Sequence, residues 1–252
     1  MIQCRWTDSG EYLEKSRMPV ASSAKGSHMT DTGLRRVRGV IFDMDGVLCE
    51  SEPFICRAAQ QMFKEFYGLE VQPEDFLPFV GTGEARFIGG PAEKYGLDID
   101  IDKAKARTYK IYLRLIRGRL KPTIGAREFI DWCRQFGLKL AVATSADMVK
   151  MHGNLREIDL APELFDAVVT GERIARKKPA PDIFLLAASR LGLRPDECLV
   201  VEDAVAGVQA AKSAGCKCLG LTTSFSDGGL LNAGADWVAP DFASVPEGVL
   251  VW

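Results

Sequence analysis

Residues 37–46 read VRGVIFDMDG, an apolar run that ends in two carboxylates separated by a single residue. β-branched and aromatic side chains make this run strand-like, and the acidic turn with its glycine closes it. The next comparable segment is LKLAVA at 138–143, preceded by a helix whose apolar positions 129, 130, 133 and 136 share one face. From there the pattern alternates: helix over 147–158, strand over 165–169, helix over 181–191, strand over 198–201, helix over 204–214, strand over 216–221 and a short strand near Trp237. Gly215 stands where a helix C-terminal cap belongs. Strands alternating with helices predict an α/β fold, a Rossmann-like parallel sheet with helices on both faces.

Between Asp43 and Leu138 the alternation stops for more than ninety residues, far longer than the dozen or so a crossover between parallel strands needs. Residues 52–121 carry helical periodicity over 53–67 and 102–117 and read as an inserted helical subdomain, with Pro122 and Gly125 marking the return to the main domain. The α/β core is then 30–51 plus 122–252. Residues 1–29 are polar and irregular, contain GSHM at 26–29, and read as a tag or leader.

Composition narrows the function. The chain has 252 residues, 47% hydrophobic and 26% charged, and 32 basic against 34 acidic side chains. Near-neutral charge argues against a nucleic-acid partner, which needs a dominant basic field. No apolar run reaches the length of a membrane span. Seven cysteines with no C-x-x-C pair, and only His28 and His152 as histidines, argue for reduced thiols rather than a zinc site. Cys216 and Cys218 are expected on opposite faces of their strand.

In open parallel sheets ligands bind beyond the carboxyl ends of the strands. Three polar clusters fall there: Asp43 and Asp45, then Thr144 and Ser145, then Glu202 and Asp203. Asp43 and Asp45 can face one pocket while Gly46 lets the backbone turn closely. An EF-hand is excluded, because its sixth and twelfth positions would be Leu48 and Phe54. Two acidic clusters at one sheet edge repel unless a cation lies between them, and oxygen-only ligands suit Mg²⁺. Asp203 is also a candidate N-cap for the helix that follows. Thr144 and Ser145 offer hydroxyl and N–H groups to an anion near a helix N-terminus. The prolines after Lys178 stiffen its loop and favour an inward-pointing lysine.

The ordered segments DMDGVL (43–48), ATSA (143–146), KKPAPDIF (177–184) and VVEDAVAGVQAAKSAG (200–215) resemble the four motifs of the haloacid dehalogenase superfamily, in the branch holding β-phosphoglucomutases and related phosphatases. The resemblance implies that Asp43 is the nucleophile forming an aspartyl-phosphate and Asp45 the general acid/base. It makes Thr144 the phosphate-binding hydroxyl and Lys178 the lysine that neutralises nucleophile and phosphate. Asp203 with Glu202 would supply Mg²⁺ carboxylates, together with Asp43 and the Asp45 carbonyl, and the inserted helices would form a cap over substrate.

The cap departs from the mutase pattern. Ile55 stands where mutases usually carry histidine, and Glu84 where they carry an arginine for a second phosphate, with Arg86 two residues away as a substitute. The stretch VGTGEARFIGG (80–90) is similar instead to the dehalogenase-type domain of a family of thylakoid proteins. The expected function is a Mg²⁺-dependent phosphatase of a small phosphorylated metabolite, a sugar phosphate by preference. A phosphosugar mutase and a binding domain with little turnover are the alternatives. A monomer or weak dimer in the cytoplasm is expected, or in a plastid if the source is a plant or alga.

Overall fold

The computed structural model describes residues 37–250; the leader expected over 1–29 lies outside them. Six strands form one parallel sheet: β1 (Gly39–Phe42), β2 (Lys139–Ala143), β3 (Ala167–Val169), β4 (Cys198–Glu202), β5 (Lys217–Leu221) and β6 (Trp237–Ala239), in the order β3-β2-β1-β4-β5-β6. The first strand, β1, lies inside the sheet, with β2 and β4 on either side of it. This is why the ends of those three strands, distant in sequence, meet at one edge.

Alternation along β1 divides the interior into two layers. Val40 and Phe42 pack into one hydrophobic cluster and Ile41 into the other, as a strand buried on both faces requires. On the Ile41 side lie α6 (Asp182–Leu191) and α7 (Val205–Ala214), through Phe184, Ala187, Val208 and Ala211. On the Phe42 side lies α4 (Ala126–Gln135), with the rings of Phe42 and Phe129 meeting edge-on at 6.1 Å. Cys216 and Cys218 both pack in the Ile41 layer, correcting their expected opposition: residues two apart share a strand face.

The inserted segment is helical, as its periodicity indicated. Helices α1 (Glu52–Tyr67), α2 (Glu84–Lys94) and α3 (Ile101–Ile116) precede α4, and α1 lies against α3. Their apolar side chains, including Ile55, Phe63 and Tyr112, run into the same cluster as Phe42 and Phe129, so the insertion shares its core with one face of the sheet. Its entry and exit run side by side: Glu50 N–H donates to Lys121 O at 3.1 Å, and Thr123 N–H to Leu48 O at 3.1 Å.

Two readings needed revision here. Helix α4 ends at Gln135, which leaves Phe136 52% exposed against Trp132 instead of on the buried face. Helix α2 carries no clear helical signature in the sequence, because GGP at 89–91 interrupts its pattern. Gly90 is there for space, since a Cβ would lie 2.1 Å from the Phe79 ring. The chain continues beyond α4 with α5 (Met148–Glu157) after β2 and α8 (Asp227–Asn232) after β5.

Candidate active site

At the carboxyl end of β1, Asp43 continues the ladder, its N–H donating to Val201 O at 3.0 Å. Its side chain meets Lys178, whose Nζ lies 2.5 Å from Asp43 Oδ1 and also donates to Glu202 Oε1. Lys178 is only 4% exposed, and its loop turns through a cis Lys178–Pro179 peptide. Burial pushes the Asp43 carboxyl up to about 7; the Lys178 ammonium opposes this, and Glu202 and Asp45 add to it. Burial alone would lower Lys178, but the two carboxylates outweigh it and hold the ammonium above its usual range.

Glu202 has both oxygens engaged. Oε1 holds Lys178, while Oε2 accepts the N–H groups of Asp203 at 3.0 Å and Ala204 at 3.1 Å. Glu202 therefore secures the β4–α7 turn and the lysine. Asp203 is not the N-cap considered for it: Ala204 is, without a side-chain bond. Asp203 Oδ2 instead accepts from the Ser224 hydroxyl. Burial, with Glu202 and Asp43 alongside, pushes the Asp203 carboxyl well above its ordinary value. Gly46 makes room for it: with φ 74°, a Cβ there would stand 1.9 Å from Asp203 Oδ2.

Asp45 is held on both oxygens. The Ser51 hydroxyl and Asn154 Nδ2 (3.2 Å) donate to Oδ1, and Lys150 Nζ lies 2.9 Å from Oδ2. Lys150, 2% exposed, also reaches Glu84 Oε1 at 3.1 Å. Ile55, in the place of the mutase histidine, cannot hydrogen-bond, and Asp45 is restrained instead through these three donors.

Thr144 Oγ1 accepts from Ala146 N–H at 3.0 Å, and Ser145 Oγ donates to Gly81 O of the insertion at 3.1 Å. Asp43, Asp45, Thr144, Ser145, Glu202 and Asp203 line one cleft of about 460 Å³, part of it open to solvent, with Glu52, Ile55, Phe79, Glu84 and Phe87 of the insertion on its other wall.

Arg86 is not brought there. It is exposed, pairs with Glu93 at 2.8 Å and covers the Phe79 ring at 5.1 Å. Glu84 opens α2 facing inward, and two residues further round a 3.6-residue turn point the other way.

Sequence reasoning missed Lys150, Asn154, Glu52 and Ser224. Lys150 and Asn154 carried a signal, being four apart on α5 and so on one face. Ser224 follows β5 and would have emerged had the rule about strand ends been applied to that strand.

Among the described residues no three His, Cys, Asp or Glu side chains converge as a ready-made metal cage. Magnesium does not require one; it binds through one or two carboxylates, waters and substrate phosphate. Six carboxylates line the cleft while its lysines, Lys150 in the wall and Lys178 behind it, are already paired. Asp43 and Asp203, both pushed up by burial among like charges, fit a hard divalent cation.

A central-strand acidic site under a helical insertion defines a class of α/β enzyme whose chemistry sits at the strand ends. The chain belongs to the haloacid dehalogenase-like hydrolase family, whose model matches residues 37–215. It is 41% identical over 250 residues to the chloroplastic protein SUPPRESSOR OF QUENCHING 1 of Arabidopsis thaliana, covering 94% of this chain but 23% of that protein. It is 34% identical to a phosphorylated carbohydrates phosphatase of Thermotoga maritima, covering 79% of this chain and 92% of the relative. The crystal structure of CbbY from Rhodobacter sphaeroides in complex with phosphate superposes with a TM-score of 0.76 at 26% identity, covering 85% and 99% of the two chains. No helix among the described residues is long and apolar enough to cross a membrane.

Proposed function

We propose that this chain is a Mg²⁺-dependent phosphohydrolase of small phosphorylated carbohydrates that works through an aspartyl-phosphate on Asp43. The observation that carries the reading is the buried Lys178–Asp43 pair at 2.5 Å, with Asp45 lining the same cleft. Asp43 attacks phosphorus with the oxygen that Lys178 does not hold, and the bond from phosphorus to the leaving oxygen breaks. Asp45 protonates that oxygen, then takes a proton from the water that cleaves the phosphoenzyme. Thr144 and Ser145 border the phosphoryl group at the end of β2, while Lys178 offsets its charge. Asp43, Asp203 and the Asp45 carbonyl would hold Mg²⁺, which supplies further neutralisation of phosphate charge. The T. maritima relative's name supports the substrate class.

Exhaustive chelation with EDTA is expected to abolish phosphate release and added Mg²⁺ to restore it, with Ca²⁺ a poor replacement because it tolerates looser geometry. Full turnover after chelation would remove the metal from the account.

Asp45→Asn is expected to be graded by leaving group. Loss should reach about 10²–10⁴-fold with a sugar phosphate and be far smaller with p-nitrophenyl phosphate, whose phenolate leaves without a proton. Equal losses in the phosphorylation step would count against the acid role.

One observation favours a second reading, transfer to a sugar rather than to water. Asp45 is held by Ser51, Asn154 and Lys150, as a phosphoenzyme that must outlast its first product needs. Glu84 weighs against it, because that position offers a second phosphate a like charge. A plastid location is supported by the chloroplastic relative.

A further inference from the structure

The wall of the cleft that faces Asp45 from the insertion carries Glu84 and Glu52 among the apolar side chains of Ile55, Phe79 and Phe87. Lys150 is the only cation lining the cleft among the described residues, and it is committed twice, at 2.9 Å to Asp45 and at 3.1 Å to Glu84. A second anionic group on a substrate would meet two carboxylates there and no free ammonium. Glu84 itself is unusual. It is 7% exposed, its Oε1 is taken by Lys150, and its Oε2 is buried with no hydrogen-bond partner. Buried polar oxygens are rarely left so, and an unmade bond at such a site is costly. A hydroxyl donor entering the cleft would satisfy it.

The location assigns the donor. One ammonium links Glu84 to Asp45, the residue placed to protonate the departing oxygen, so Glu84 borders the organic part of the substrate and not the phosphoryl group. We infer that Glu84, aimed by Lys150, is the specificity-determining residue for the leaving group, and that the substrate is a monophosphate whose organic part is uncharged and bears hydroxyls. This rests on the phosphohydrolase reading and narrows its substrates to those without a second anionic group, naming the residue that excludes the others. The complementary elements are attraction of a hydroxyl by Oε2 and repulsion of a second anion by the same carboxylate.

The test uses the intact Mg²⁺-loaded protein and a matched pair, glucitol 6-phosphate and 6-phosphogluconate, which differ at the far end only in CH₂OH against carboxylate. Wild type is expected to prefer the alcohol by roughly a hundredfold in kcat/KM, carried mainly by KM. Glu84→Gln should shrink that ratio to within about tenfold, and Glu84→Asp should recover part of it. A wild-type ratio near unity, or one that favours the acid, overturns the inference. So does a Glu84→Gln variant, folded by circular dichroism, that loses both substrates by the same factor, since a packing role predicts that. p-Nitrophenyl phosphate separates the two levels. If wild type cleaves it without discriminating within the pair, this inference alone fails; if wild type cleaves no phosphate ester at all, the proposed function fails and takes the inference with it.

Discussion

Asp43→Asn is expected to lower kcat by about 10⁴-fold or more while the protein stays folded. Asparagine keeps the shape of the side chain but cannot attack phosphorus, and the two carboxylates nearest in role are already engaged. Asp45 is bound on both oxygens, and Glu202 is tied to Lys178 and two backbone N–H groups. The substitution removes one negative charge from a crowded buried set, and Lys178 keeps Glu202 as partner, so thermal stability should be unchanged or slightly higher. Steady-state phosphate release and a thermal melt check both parts. Retention of more than a few per cent of wild-type turnover would place the nucleophile elsewhere.

Lys178→Met should damage both activity and fold. Methionine fills similar volume but leaves Asp43 and Glu202 facing each other, buried, without the cation between them. Breaking a buried pair from one side costs about 3–5 kcal/mol, which for a domain of this size lowers Tm on the order of 10 °C. Activity should fall by about 10³-fold or more, because charge neutralisation is the main thing a phosphoryl-transfer site supplies. Double replacement, Lys178→Met with Glu202→Gln, is expected to recover much of the stability and none of the activity. Melting and phosphate release on the two variants separate the roles. A stable, active Lys178→Met variant would mean that the lysine is only a structural counter-ion.

The parts of the fold that were legible share a physical cause. Each strand is an apolar run closed by a polar turn, so β1, β2 and β4 announced both themselves and the side chains at their ends. Parallel topology then required Asp43, Thr144 and Glu202 to lie at one edge, and the structure places them there. The less legible parts depend on tertiary packing. A lone lysine on a helix reads as a solvated charge, and only the insertion packed over α5 makes Lys150 a buried cation between two carboxylates. Arg86 and Glu84 are indistinguishable as candidates until the first turn of α2 fixes which faces the cleft. Spacing shows that a carboxylate stands at Glu202, and only the fold shows that its oxygens hold Lys178 and the N–H groups of the β4–α7 turn.

The central claim is that phosphoryl transfer passes through Asp43, and trapping the intermediate tests it most directly. Mg²⁺-loaded wild type would be mixed with excess acetyl phosphate or p-nitrophenyl phosphate, quenched in the millisecond range and reduced with borohydride, then digested for peptide mass analysis. An acyl-phosphate reduces to an alcohol, so the account predicts homoserine in place of Asp43, dependent on substrate and Mg²⁺ and absent from Asp43→Asn. Reduction at another carboxylate, or steady turnover under conditions where position 43 is never modified, would contradict it.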